Sequence, residues 1–401
     1  MIPVAITGFG IVSPFGCSVE EMTERFLTGT GVDSPAGVDE AGVVVPDIPV
    51  HLLSDETRSR IGRVDRLSRM FLSASHLAVR SAELVVADAG AERVGLSFGT
   101  GLGCLLTDEE YNRKIVEQGP AMASPRLFAH TVSSAAAGEV SIALGIKGPN
   151  VTAHMGFAAG LGALGYGFDL IQMEKADVVL AGGADAIGPA LMQGLRDMRL
   201  LKTADRARPF VDDTAGIWPA EAAVVAVLER ADRAKRRGAT CWGTVRGYAA
   251  GFEPTLASRA GHRGGVVATL RRALQLSELA PPDVGLIVAS AHGTPADRVE
   301  REALEEVFAG SRPIVLAPKA HMGDSLGASG PLAVALACGC GERLRGPASL
   351  AMSGVPATAL SGGRTDGAAV ESSLRGGDIV MVNALCYSGN VVSLLLDRRV
   401  P

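Results

Sequence analysis

The chain has 401 residues, 47% hydrophobic and 20% charged, with 50 glycines and a formal net charge of −5. That length exceeds one small core and favours two core-forming halves, and the balance excludes a disordered chain. The one basic run, residues 229–238 (ERADRAKRRG), holds acidic residues within it and reads as a solvated helix end, so no nucleic-acid partner is expected.

Short β-branched or aliphatic runs alternate with longer Ala-rich amphipathic segments. A strand is predicted over 3–9, then a helix over 64–88, a strand over 94–99 and helices over 107–118 and 133–145. A helix over 158–174, a strand over 177–182, a helix over 189–199 and a strand over 221–228 follow. The remainder reads as helix 265–277, strand 284–289, helix 297–309, strand 313–317, helix 327–344 and strands 378–382 and 390–396. Such alternation predicts an α/β protein with mixed sheets covered on both faces.

One tetrapeptide, Ala-His-Met-Gly, occurs at Ala153 and again at Ala320. Each copy follows a short apolar run (NVTA, IVLAP) and precedes one variable residue and a helix rich in small residues. The matching flanks point to an internal duplication that places two helix N-termini near a pseudo-twofold axis. Backbone N–H groups and the macrodipole favour a thiolate or oxyanion there. This chain puts Phe157 and Asp324 at the two positions.

The N-terminus, MIPVAITGFGIVSP, lacks the basic start and cleavage site of a signal peptide, and no apolar run reaches the roughly 18–20 residues of a membrane helix. Of the six cysteines (17, 104, 241, 338, 340, 386) only Cys338 and Cys340 are close-spaced, without a second pair or a His cluster. Reduced thiols, a cytoplasmic location, no membrane, no metal and no cofactor are expected.

Five ordered blocks resemble the β-ketoacyl synthases, the condensing enzymes of the thiolase fold: VAITGFGIVSPFG, GIKGPNVTAHMGFAAGLGALGYGFDLIQMEKADVVLAGGADA, RPFVDDTAGIWPAEAAVVAVLE, ASAHGTPADRVEREALEEVF and APKAHMGDSLGASG. The resemblance implies a five-layered αβαβα fold of two pseudo-twofold-related halves, 1–250 and 251–401. It also implies site positions. Phe157 stands where the family has its acyl-accepting cysteine, and Asp324 where it has its second catalytic histidine. His292 matches the first histidine and Lys319 the family's lysine, while NALCYSGN replaces the gating loop. Condensation needs a thiolate and two imidazoles, so the site is expected to be catalytically silent, with His292, Lys319 and Asp324 left as a polar network. His154 and His321 lie three residues ahead of the catalytic positions, where the turn should aim them elsewhere.

One branch of the family, the chain-length factors (ketosynthase β-subunits) of type II polyketide synthases, keeps the fold and loses the nucleophile. Resemblance to it implies a heterodimer with an active ketosynthase. A phosphopantetheine-bound acyl chain then arrives on an acyl carrier protein mainly through that partner, in secondary metabolism. Many such subunits carry Gln at the lost position; Phe157 departs from that and is expected to fill the vacant acyl pocket. Carried over, the positions that limit tunnel depth fall at Cys104, Thr107 and Tyr111, spaced i, i+3 and i+7 on one helical face. Plain packing of that helix against the partner is the alternative, and residues 120–136 are expected in the same interface. The absent Gln tilts the expected product toward a reduced polyene rather than an aromatic. Only six of 38 basic residues are lysine, compatible with a GC-rich genome. Three rival readings remain: acid–base chemistry by His292 with Asp324, a non-catalytic acyl-binding homodimer, and a synthase using Cys386.

Overall fold

The computed structural model describes residues 1–28, 42, 44–45, 48, 50–201, 210, 216–256, 261–311, 313–340 and 378–399. The first half opens with β1 (Val4–Val12), α1 (Val19–Thr28), α2 (Asp55–Ile61) and α3 (Arg66–Ser81). Next come β2 (Val94–Gly99), α4 (Leu105–Gln118), α5 (Pro125–Phe128), α6 (Ala135–Leu144) and β3 (Asn150–Ala153). It closes with α7 (Ala159–Gln172), β4 (Val178–Asp185), α8 (Pro189–Asp197), β5 (Ala222–Arg230) and α9 (Ala231–Arg236). The second half begins with β6 (Gly243–Phe252), α10 (Gly264–Leu276), β7 (Val284–Val288), α11 (Ala296–Val307) and β8 (Ile314–Leu316). It ends with α12 (Lys319–Met322), α13 (Ser329–Cys340), β9 (Ile379–Leu385) and β10 (Asn390–Asp397).

The strands run β3-β2-β4-β5-β1-β6-β10-β9-β7-β8. Taken inward from each end, the two groups of five repeat one order and one set of directions. The outer two pairings are parallel (β2 with β3 and β4; β7 with β8 and β9) and the inner two antiparallel. Among the described residues the groups join where Val4–Ile6 of β1 pairs antiparallel with Gly243–Val245 of β6. The repeat restarts at β6, so the boundary expected at 250/251 runs through that strand; we propose the division at 237–242 instead.

Three apolar cores separate five layers. One lies between α3 and α6 and the outer face of the first sheet, with Phe71 tilted on Phe98 at 4.2 Å. A central core surrounds α7 and α13, which pack on each other and on strands of both halves. The third lies under α10 and α11. The strands fit this arrangement: β1 and β4 are buried at every position, as expected where helices cover both faces. The αβαβα layering expected from the resemblance is present.

Helices α1, α2, α5, α9 and α12 and strand β3 were not among the predicted elements, and two further departures have a clear physical reason. The helix expected over 64–88 stops at Ser81, where Glu83 turns to φ +48 and cannot continue it. Strand β6 was absent from the sequence reading because Gly243, Gly247 and Gly251 interrupt its apolar alternation. The end of the helix expected over 327–344 lies outside the described residues beyond Cys340.

Candidate functional site: a closed ketosynthase centre

The two Ala-His-Met-Gly copies converge as the duplication predicts, though by different local routes. The first ends β3 at Ala153; the second forms the short helix α12. Both then turn through a glycine with positive φ, Gly156 at +55 and Gly323 at +68. This left-handed step swings the next side chain inward, ahead of α7 in one copy and of α13 in the other. Phe157 and Asp324 arrive on two sides of His292: the Phe157 ring lies 6.3 Å from the imidazole, and Asp324 Oδ2 lies 2.5 Å from its Nδ1.

His292 is held from both ends. Its loop is clamped by α11: Asp297 accepts from the amides of His292 and Gly293 at 2.8 and 3.0 Å, and Glu300 from those of Ser290 and Ala291 at 2.9 Å each. Its Nε2–H donates to the Leu385 carbonyl at 2.8 Å, since that oxygen only accepts. Its Nδ1 lies between Asp324 Oδ2 and Lys319 Nζ, the latter at 3.0 Å, and the Ser290 hydroxyl lies 2.9 Å from Nε2. Both ring nitrogens are therefore engaged within the chain.

Asp324 is ionised in this setting. Burial alone would raise its pKa; the Lys319 ammonium, then His292 and the Ser329 hydroxyl, outweigh burial and hold it below the usual carboxylate range. Lys319 Nζ is 3.2 Å from Oδ2, and Oδ1 accepts from Leu326 N and Ser329 Oγ at 2.9 Å each. The result is a buried Lys319–Asp324–His292 cluster, with His292 and Asp324 almost fully enclosed.

Phe157 is 8% exposed and belongs to the central core. Tyr387 closes the other side: its ring stands edge-on to Phe157 at 5.9 Å and tilted to His292 at 5.5 Å. Burial pushes its phenol well above the ordinary value. Cys386 is buried beside Gly156, on which a Cβ would come 2.2 Å from its sulfur. It sits in the tight turn between β9 and β10, where Gly389 N donates to the Cys386 carbonyl at 2.8 Å, so no helix N-terminus lies beneath it. His154 is exposed near Gly103, and His321 packs edge-on to Phe26 at 6.1 Å; both point away from Asp324 and Phe157 as expected.

Three groups of this site escaped sequence reasoning. Tyr387 lies in the loop that departs from the resemblance and gave no signal. Asp297 and Glu300 carried a weak one: two carboxylates at i, i+3 in the first turns of a helix, facing the preceding loop.

The tunnel positions are brought together on α4, with their inner face turned to their own chain. Cys104 precedes the helix and donates to Asp108 at 3.2 Å; burial, then that carboxylate, pushes the thiol up to about 11. The Thr107 hydroxyl donates to Asp65 at 3.2 Å, and the Tyr111 ring packs on Phe128 at 5.9 Å. Nearby, Val116, Met122, Phe128, Val132 and Ile142 stand exposed, Ile142 at 66%, and β3 forms the free edge of the first sheet. Among the described residues no group of three His, Cys, Asp or Glu could hold a metal, and no helix is long and apolar enough to cross a membrane.

Residues 1–234 match the family "Beta-ketoacyl synthase, N-terminal domain" and residues 242–343 its C-terminal domain. The 3-oxoacyl-[acyl-carrier-protein] synthase 2 of Staphylococcus aureus (strain N315) is 31% identical over 345 residues, 82% of each chain. The protein of that description from Synechocystis sp. is 29% identical over 344 residues, again 82% of each. Among solved structures, a β-ketoacyl synthase from Burkholderia phymatum superposes with a TM-score of 0.84 at 21% identity, covering 100% of both chains. "The ishigamide ketosynthase/chain length factor" does so with a TM-score of 0.80 at 24% identity, also covering 100% of both. At these identities the solved structures establish a shared thiolase-like ketosynthase fold. With both family domains matched in order across the chain, this protein belongs to the β-ketoacyl synthase family.

Proposed function

We propose that this chain is a catalytically silent ketosynthase-like subunit, a chain-length factor, which pairs with an active ketosynthase and shapes the acyl tunnel of a type II polyketide synthase. One observation carries the reading: the position of the acyl-accepting thiol is filled by Phe157, sealed between His292 and Tyr387, with both nitrogens of His292 already committed. A phenyl ring has no nucleophile. The two nitrogens of His292 are engaged by Asp324 and Lys319 on one side and by Leu385 and Ser290 on the other, which leaves neither a free base nor a free donor for an oxyanion. The partner surface is supported by the exposed apolar side chains on α4–α6 and the open edge of β3, features that a folded chain normally covers. They include Met122, Phe128 and Val132 of the expected 120–136 stretch. A ketosynthase/chain length factor shares the fold, by its description, and another solved neighbour is described as a type II PKS acyl-carrier protein in complex with its ketosynthase.

The curated relatives are synthases, which favours a second reading: an active condensing enzyme with a displaced nucleophile. Cys386, the thiol beside the site, is the candidate. Intact-mass analysis after incubation with an acyl-loaded carrier separates the two. The silent-subunit reading predicts no mass increase; an acyl adduct on Cys386 would overturn it. In the complex, Tyr111→Ala removes the aromatic wall that α4 presents with Phe128, and the product is expected to lengthen. An unchanged product would remove Tyr111 from the tunnel and leave α4 as plain packing.

A further inference from the structure

Asp185 ends β4 and is 1% exposed, and no part of the site chemistry uses it. Its carboxylate nevertheless accepts four hydrogen bonds from two distant parts of the chain. Oδ1 takes the Thr100 hydroxyl at 2.6 Å and the Leu102 amide at 3.0 Å. Oδ2 takes the Gly101 amide at 3.0 Å and the Gly327 amide at 2.7 Å. A Cβ on Gly327 would approach Oδ2 to 2.6 Å, so that backbone comes this close only as glycine, and one on Gly101 would lie tight against it at 3.1 Å.

The two parts have different duties. Thr100–Leu102 is the turn from β2 into α4, and Thr100 N also donates to the carbonyl of Ala153 at 3.1 Å, at the end of β3. Gly327 lies between Asp324 and α13. One buried carboxylate thus ties the start of the interface helix to the turn carrying Asp324. Three of the four partners are backbone amides, which only donate; the Thr100 hydroxyl can also accept, and does so from the Gly103 amide at 2.8 Å, so an amide NH₂ placed there meets at least one N–H.

We infer that Asp185 is a positioning residue that sets the start of α4, and with it Cys104 and Tyr111, relative to the closed centre. The inference rests on the proposed chain-length role. Asp185→Asn must turn its NH₂ toward either Thr100 and Leu102 or Gly101 and Gly327, leaving at least one backbone N–H facing a donor.

The test has two arms. In the isolated chain, amide exchange in Asp185→Asn should quicken about tenfold at residues 101–108 and 326–330, the size expected for one lost hydrogen bond, while α10 and α11 keep wild-type rates. In the complex with its ketosynthase, the share of the principal product should fall about twofold in favour of other lengths, a change of well under one hydrogen bond in free energy. Asp185→Glu, which keeps the charge, should restore part of that share. Uniform exchange across the molecule, or an unchanged product from an intact heterodimer, overturns the assignment. Should Asp185→Asn fail to fold, Thr100→Val, which removes one donor to Asp185 together with the acceptor of the Gly103 amide, decides the question by the same readouts. A wild-type chain that forms no heterodimer, with exchange still confined to those two segments in Asp185→Asn, would instead sink the chain-length role and leave the tether standing.

Discussion

The two copies of Ala-His-Met-Gly use one backbone device to opposite ends. In the first, the turn at Gly156 delivers an aromatic ring into the central apolar core, where it meets Tyr387 and closes the pocket without charge. In the second, the turn at Gly323 delivers a carboxylate to the Lys319 ammonium and to His292, and that half is held by charge and hydrogen bonds. The difference teaches that the duplicated scaffold fixes where a side chain arrives, not what it does. In the proposed reading, one half of the site is filled and the other is tied up by its own polar groups. The two closures depend on different physics, so they should fail differently.

The largest effect is expected in the ionic half. Asp324→Ala leaves the buried Lys319 ammonium without its anion and should cost about 3–5 kcal/mol in urea unfolding. A loss under about 1 kcal/mol would mean that the Lys319–Asp324 pair contributes little. Phe157→Ala should cost about 3 kcal/mol through the cavity it opens. That loss should vary little with pH, because what is removed is apolar burial and not an ion pair.

The acid response sharpens the contrast. A carboxylate whose folded pKa is lowered contributes stability above its unfolded value of about 4, and that contribution is lost as pH falls through the folded value. Asp324 is such a group, whereas Asp185, Asp297 and Glu300 are pushed the other way by burial. Wild type should therefore lose more stability than Asp324→Asn between pH 5 and the acid limit, and the difference curve isolates Asp324. Parallel curves would contradict an ionised Asp324.

The smallest effects test the shared device. Alanine at either turn glycine meets the left-handed penalty of about 1–2 kcal/mol. Contacts add to it: Cys386 Sγ at 2.2 Å in the first copy, the Trp218 carbonyl at 2.8 Å in the second. Both variants should be destabilised, measured by thermal unfolding. A tolerated Gly156→Ala would break the equivalence of the two turns.

These contrasts show which parts of the molecule were legible before any coordinates. Strand β2 was read at its observed bounds, since VGLSFG is a short apolar run between clear stops. The convergence of Phe157, His292, Lys319 and Asp324 was legible because a repeated tetrapeptide and a family resemblance marked the same positions. Tyr387 was not, since its loop matches nothing in the resemblance and its role exists only as ring contacts. Asp185 was illegible for a deeper reason: three of its four donors are backbone amides, which carry no residue identity, and Gly327 lies 142 residues away. The face of α4 was half legible. Its i, i+3, i+7 spacing was right as geometry, but the partners Asp65 and Phe128 that turn this face inward come from other elements.

The central claim, a silent subunit completed by an active partner, is tested most directly by native mass of the chain alone and after co-expression with a Cys-bearing ketosynthase. The account predicts a one-to-one heterodimer that covers the apolar side chains of α4–α6 and the β3 edge. A stable homodimer that ignores the ketosynthase would contradict it.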